Sequence, residues 1–250
     1  MYALVETRQF QDAISHLIVG STCALLFDTG IGLVPMRPVI EKLTTLPVTV
    51  LNSHKHFDHV GANAEFTDIL GLDTLFTREY ERGGPHTDVA NEVDTGSFCG
   101  ALPRGADMAA FPKRPFSITR RVADGDTIDL GNRTLIALAA PGGTPDALAL
   151  SEPARGLLWT GNSHYDSTIS LRSPSSDLDA YETPMARLAA LISTLRRLLP
   201  AHNTATAEPT RLDAVLHGVR TTRAGGGIRT SEGSDRGRMR AGDVTFMTAR

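Results

Sequence analysis

The stretch Leu51-Asn52-Ser53-His54-Lys55-His56-Phe57-Asp58-His59-Val60-Gly61 places four potential metal ligands, His54, His56, Asp58 and His59, within six residues. Neutral imidazoles and a carboxylate are the donors that a borderline divalent cation takes. A turn through this segment lets His54 and His56 face one centre and Asp58 and His59 another. Three of the eight histidines of the chain fall here, directly after Val48-Thr-Val-Leu51, an apolar run that reads as a buried strand. Sites of α/β folds gather at such strand ends, so the segment reads as a metal loop and not as a polar turn with scattered histidines.

The elements around the loop alternate. Upstream, Ile14 to Val19 and Cys23 to Phe27 flank Gly20-Ser-Thr22 and predict a strand hairpin. Val34 to Leu46 has helical spacing, with Pro35 near its start and Pro47 as its stop. Downstream, Asn63 to Leu70 reads as a helix, followed by a strand near Thr74 to Phe76. Residues 80–117 are rich in Gly, Pro and polar residues and lack a period, which predicts a lid-like insertion. Thr127 to Leu130 and Thr134 to Ala139 predict a second hairpin, and Ala147 to Leu150 and Gly156 to Thr160 further strands. Thr183-Pro184 reads as the start of a helix over Met185 to Leu199, and a shorter helix after Pro209 carries Leu212, Val215, Leu216 and Val219. The tract 220–240, with six Arg and five Gly, reads as mobile, and Asp243 to Thr248 as a terminal strand. Two β-rich halves that each end in helices predict an α/β (α+β) chain folded as a four-layer αββα sandwich, one domain over residues 1–250.

A chain of 250 residues buries a sizeable core. Its 25 Lys+Arg against 28 Asp+Glu leave a net charge of −3, so no global positive field draws it onto nucleic acid or anionic lipid. Hydrophobic residues at 41% and charged residues at 21% exclude disorder for the bulk. Cys23 and Cys99 alone make no disulfide scaffold and are expected to be reduced. Met1 to Phe10 lacks a basic region followed by an apolar one, and no apolar run approaches the ~18 residues of a membrane span. The expected location is therefore the cytoplasm, and the expected partner a small-molecule substrate, with neither nucleic acid nor membrane.

The segment His54 to His59 resembles the His-x-His-x-Asp-His motif of the metallo-β-lactamase superfamily, and other segments resemble that family in order. Leu25-Leu-Phe-Asp28-Thr-Gly30 resembles its early strand ending in a buried Asp, which implies that Asp28 orients the metal loop from behind the ligands. Pro141-Gly-Gly143-Thr-Pro145 resembles its Pro-Gly-His-Thr turn, and Leu158-Trp-Thr-Gly-Asn162 its Phe-Thr-Gly-Asp strand end. Pro200-Ala-His202-Asn203 resembles its final ligand-bearing turn. The resemblance runs from about residue 12 to 220 and implies the αββα fold, with His54, His56, Asp58, His59 and His202 as metal ligands at the sandwich edge.

Two positions depart from the family pattern: Gly143 stands where a histidine is expected, and Asn162 where an aspartate bridges two ions. The first site keeps His54 and His56, whereas the second keeps Asp58, His59 and His202, three ligands with open positions. The reading is a mononuclear centre, zinc by its donors, with iron or manganese as alternatives. His164 and His86 are candidates to refill the first site or to contact substrate, and Asn162 offers a neutral oxygen. Asp58 is expected to bind metal and accept a proton, and Tyr165 to hydrogen-bond a substrate carbonyl or oxyanion. Lys55 and Phe57 read as solvent or packing residues, and His16 as structural.

These features imply a metal-dependent hydrolase acting through a metal-activated water. Members of the family cleave β-lactams, thioesters, lactones, phosphodiesters and sulfate esters, and the fold does not select among them. Gly143 and Asn162 motivate one alternative, a non-catalytic binding protein, and the two-His, one-carboxylate set another, a mononuclear iron oxygenase. An aspartic-protease reading of Asp28-Thr-Gly30 and Asp94-Thr-Gly96 leaves the histidine cluster unexplained. Gly161-Asn-Ser163-His-Tyr165 lacks the closing Gly of a nucleophile elbow.

Overall fold

Parallel pairing of the strands that flank the metal loop organises the first half of the chain. A computed structural model describes residues 1–85, 90, 93, 95–102, 114–171, 173–232 and 236–249. The chain divides into two compact units, 1–123 with 128–134, and 124–127 with 135–250.

In the first unit β1 (Tyr2–Val5), β2 (Ile14–Val19), β3 (Ala24–Phe27), β4 (Val48–Leu51), β5 (Ile69–Leu72) and β6 (Arg120–Val122) form one sheet in sequence order. The first three strands are antiparallel and the last four parallel. Parallel neighbours need a crossover. The three crossovers contain α1 (Arg37–Leu43), α2 (Phe57–Val60) and α3 (Leu75–Glu81). Leu17, Leu26, Val50 and Ile69 from the strands pack with Ile40 of α1 and with Phe116 into one core.

The division between the units falls within β7 (Thr127–Asp129). In the second unit β8 (Thr134–Ala139), β9 (Leu148–Glu152) and β10 (Leu157–Gly161) run antiparallel. After β11 (Ile169–Leu171) and α4 (Leu178–Ala189), β12 (Arg197–Pro200) returns parallel to β10. Then follow α5 (Arg211–Arg223), β13 (Ile228–Glu232), β14 (Arg236–Ala241) and β15 (Val244–Ala249), the last three sharing a sheet with β11 in the order β11-β15-β14-β13. Leu158, Tyr181, Met185, Leu198, Leu212, Val215 and Phe246 form this unit's core.

Five expectations are corrected. The helix expected over Val34 to Leu46 is only α1. Asn63 to Leu70 is not a helix: a single 3-10 turn at Asn63–Glu65 leads into β5, and the segment expected as a strand at Thr74 to Phe76 opens α3. Thr74 decides that case, because its hydroxyl accepts from Thr77 N at 3.0 Å and caps the helix. The helix expected from Met185 starts instead at Leu178, because Asp177 accepts from the N–H groups of Asp179 and Ala180. Pro184 therefore lies inside α4, and Leu198 and Leu199 belong to β12. The tract 220–240 is not irregular: it holds the end of α5, β13 and most of β14, where Gly237, Met239 and Ala241 are buried and Arg240 is exposed. That is the period of a half-buried strand, which Arg and Gly content conceals.

The expected insertion 80–117 begins inside α3. Its residues 86–89, 91–92, 94 and 103–113, His86 among them, lie outside the described residues. Val93 and Phe116 are buried. Cys23 and Cys99 are both free thiols. No helix among the described residues is long and apolar enough to cross a membrane.

Two stability predictions follow from these contacts. Asp177→Ala removes the cap of α4 and is expected to cost about 1 kcal/mol, read as a lower urea midpoint with unchanged slope. His16 of β2 is 1% exposed, and burial lowers its pKa to about 4 against a smaller opposing effect of Asp28. The unfolded chain then binds this proton between about pH 6.5 and 4 while the native chain does not, so stability falls as pH drops through that window. The loss between pH 7 and 5 in metal-free protein is expected to be about 1–2 kcal/mol smaller in His16→Gln than in the parent.

Candidate metal centre

The register of β3 and β4, with Phe27 opposite Leu51, sets Asp28 beside the first residues of the loop. Asp28 N donates to Leu51 O at 3.0 Å, and the Asp28 carboxylate accepts from Ser53 N at 2.6 Å and from Ser53 Oγ at 2.9 Å. Its Oδ2 also lies 2.9 Å from His59 Nδ1, so Asp28 takes that N–H and turns His59 Nε2 the other way. The Ser53 oxygen stands 3.2 Å from His54 Nδ1, which likewise directs His54 Nε2 outward, to 3.1 Å from His56 Nδ1. The rings of His54 and His59 are 4.1 Å apart, and those of His54 and His56 4.7 Å. Asp58 Oδ2 is 3.2 Å from His59 Nε2. The loop thus brings together His54, His56, Asp58 and His59, with Asp28 on the far side of His59 from Asp58.

The charge balance of this cluster favours a cation. Burial alone would lower the pKa of His59, but Asp58 and Asp28 on its two sides reverse that and push it up to about 10. Two carboxylates around one buried imidazole thus hold a positive charge at this point, and a divalent ion meets the same demand.

Several residues here escaped the sequence reading. Lys55, expected at the surface or in packing, is 1% exposed and donates to Asn52 Oδ1 at 2.8 Å. Asn52 Nδ2 donates to the carbonyl of His59 at 2.7 Å, Asn63 Nδ2 to Asn52 Oδ1 at 2.9 Å, and Thr29 N to the His59 carbonyl at 2.9 Å. This buried network pins the far end of the loop. Glu6, between β1 and β2, accepts from Ile31 N at 2.9 Å, and its carboxylate fills the space a β-carbon on Gly30 would need. Burial, with Asp58 adding to it, raises its pKa to about 7. A remote glutamate outside any motif gives no sequence signal, whereas the apolar run before Asn52 pointed at least to a buried start of the loop.

The remaining candidates lie in the second unit. Asn162 is half-buried at the end of β10, and His164 and His202 are buried. Neither ring nitrogen of His164 has a hydrogen-bond partner among the described residues, and burial, reinforced by Arg211, lowers its pKa to about 4. Tyr165 does not offer its hydroxyl as expected: the hydroxyl donates to Thr168 O at 3.0 Å and accepts from Ser170 N at 2.8 Å, closing a turn. The ring of Tyr165 packs edge-on against His202 at 5.2 Å. Gly143 lies in a turn whose carbonyl accepts from Ser176 Oγ at 2.8 Å. Its φ is outside the left-handed region, and a β-carbon there meets no described atom within 4 Å.

Comparison with known proteins agrees with this geometry. Acyl-coenzyme A thioesterase MBLAC2 of Homo sapiens is 27% identical over 200 residues, 74% of this chain and 71% of that protein. Hydroxyacylglutathione hydrolase of Trichodesmium erythraeum is 29% identical over 127 residues, 45% of this chain and 49% of that one. The crystal structure of ST1585 from Sulfolobus tokodaii, an archaeal metallo-beta-lactamase superfamily protein, is similar with a TM-score of 0.64 at 14% identity, over 93% of this chain and 90% of that one. That likeness shows the fold, and the α/β class expected from the sequence is the one found. Residues 13–202 match the family model of the Metallo-beta-lactamase superfamily, and the chain belongs to that superfamily.

Proposed function

We propose that the chain is a metal-dependent hydrolase of small ester, thioester, lactone, β-lactam or phosphoester and sulfate ester substrates. The single observation that carries this reading is the cluster of buried His54, His59 and Asp58 with half-buried His56 beside them, whose carboxylate surroundings favour a cation. The relatives named as a thioesterase and as a hydroxyacylglutathione hydrolase support a hydrolase. We assign one ion, zinc in preference to iron or manganese, to Asp58, His59 and His202. A second ion, where present, falls to His54 and His56. Both units are taken to act as one domain in a cytoplasmic setting.

A divalent ion held there supplies Lewis acidity and a nucleophilic water near neutral pH. Asp28 fixes the tautomer of His59 and its ring plane, and Ser53 does the same for His54. Asp58 would help to hold the ion and would take up a proton at its carboxylate. His56, half-buried at the edge of the loop, is left to orient substrate or hold a proton. Tyr165 acts only through its ring, which steadies His202.

Titration of metal-free protein followed by elemental analysis tests the assignment. The parent is expected to retain about one equivalent, which raises its unfolding temperature, and a chelator is expected to reverse that rise. His202→Ala is expected to lower metal content more than His54→Ala, because it breaks the more complete ligand set. Gly143→His with Asn162→Asp is expected to bring the content toward two, since the space at Gly143 admits a side chain. Equal content in both alanine variants rejects the ligand assignment, and absence of binding in every variant favours a non-catalytic protein. Retention of iron with oxygen consumption favours the oxygenase.

A further inference from the structure

We infer that α3 forms the wall against which an apolar acyl group of the substrate packs, so that the preferred substrates are esters or thioesters of unbranched or aromatic acyl groups and not small polar ones. This rests on the hydrolase reading above and adds to it a substrate class.

The observation is an apolar surface continuous with the metal loop. Phe76 and Tyr80, one helical turn apart on α3, stack with ring centroids 4.6 Å apart. Both rings face His56, at 6.0 and 6.2 Å. Next to them Leu75 is 78% exposed, the most exposed large apolar side chain among the described residues. Scattered exposed leucines are ordinary, but this one shares a seven-residue helix with an aromatic pair that edges His56.

The helix that carries these side chains is fixed at both ends. Thr74 caps its start, and Arg78 pairs with Asp73 at 2.8 Å. At its end the Glu81 carbonyl accepts from Phe116 N at 3.0 Å and its carboxylate from Ile118 N at 2.6 Å, while Arg121 lies 3.1 Å from the same carboxylate. Thr77 turns inward and is buried, which leaves Leu75 outward. A surface held this firmly is preorganised for contact and loses little freedom when a ligand covers it.

The occupant is argued from size and continuity. Three side chains offer far less than the ~800 Å² per partner of a stable protein interface. They suffice for several methylenes or one aromatic ring of a substrate whose carbonyl lies at the loop. Burying each methylene is expected to raise kcat/KM roughly threefold until the wall is covered.

The test uses a homologous series of S-acyl-N-acetylcysteamine thioesters from acetyl to decanoyl with metal-loaded full-length protein. The parent is expected to show kcat/KM rising with chain length through KM. Leu75→Ser with Phe76→Ser is expected to lose at least tenfold more at octanoyl than at acetyl. Ile228→Ser, another exposed apolar residue but on β13 of the second unit, serves as the control and is expected to keep the slope of the parent. A flat parent series, or the same slope in the double variant, overturns the inference. If the parent cleaves no thioester, the thioester part of the hydrolase reading fails separately, and calorimetric titration with octanoate decides the wall: binding that the double variant loses supports it, and no binding in the parent overturns it.

Discussion

The contact on which the candidate centre depends is the one between Asp28 and the loop that leaves the neighbouring strand. Strands β3 and β4 run parallel and end level with each other, so the residues after Phe27 and after Leu51 emerge side by side. Asp28 turns there with φ of 67°, a left-handed conformation that Asp tolerates better than most residues. That turn aims its carboxylate sideways at Ser53 and His59. One carboxylate thereby sets the exit of the loop, the tautomer of His59 and, through the Ser53 hydroxyl, the orientation of His54. Every later property of the loop, from ring directions to charge, follows from this short reach across two strands.

A loop this rich in buried polar groups holds together only when nearly all of them are satisfied. The network of Lys55, Asn52, Asn63 and Thr29 does this on the side away from the ligands, meeting at the carbonyl of His59. Lys55 lies between two ligand histidines in sequence yet points the opposite way, into the unit. The bends between β4 and α2 set the rings of His54 and His56 together and leave Lys55 buried against Asn52. The buried ammonium has Asn52 as acceptor and the Phe116 ring 5.8 Å away. The metal loop is thus a two-sided object, with ligands on one face and a polar anchor on the other.

The parts legible in the sequence were those whose signal is local. Apolar runs bounded by Gly or Pro marked β2, β3 and β4, and dense histidine spacing marked the loop whose polar side chains the structure brings together. Asp28 became legible only through the family resemblance, since its role lies in pairing between strands 24 residues apart in numbering. Periodicity failed where a short apolar run suited either state: Ile69 to Leu72 is a strand only because β4 and β6 flank it. It failed again where a cap outweighed a proline, as Asp177 does over Pro184. Composition misled at 220–240, where exposed Arg240 alternates with buried Met239 and Ala241 along a strand. Which part of Tyr165 meets His202 depends on the backbone of residues 168 and 170, which hold its hydroxyl and which no motif encodes.

The two departures from the family pattern differ in weight, and charge decides the difference. Two unit charges 4 Å apart interact by about 4 kcal/mol at an effective dielectric constant of 20, so two dications at that separation repel by roughly four times as much. A bridging carboxylate offsets that repulsion directly, whereas an imidazole adds a donor without charge. On the proposed assignment, Asn162 therefore takes away what would hold two ions together, while Gly143 takes away only one ligand from one of them. Asp28 and Asp58 both stand beside His59, so two carboxylates converge on one buried imidazole. On the proposed ligand assignment, two carboxylates at one histidine without a bridging charge favour one ion over two, because nothing between the ions offsets their repulsion.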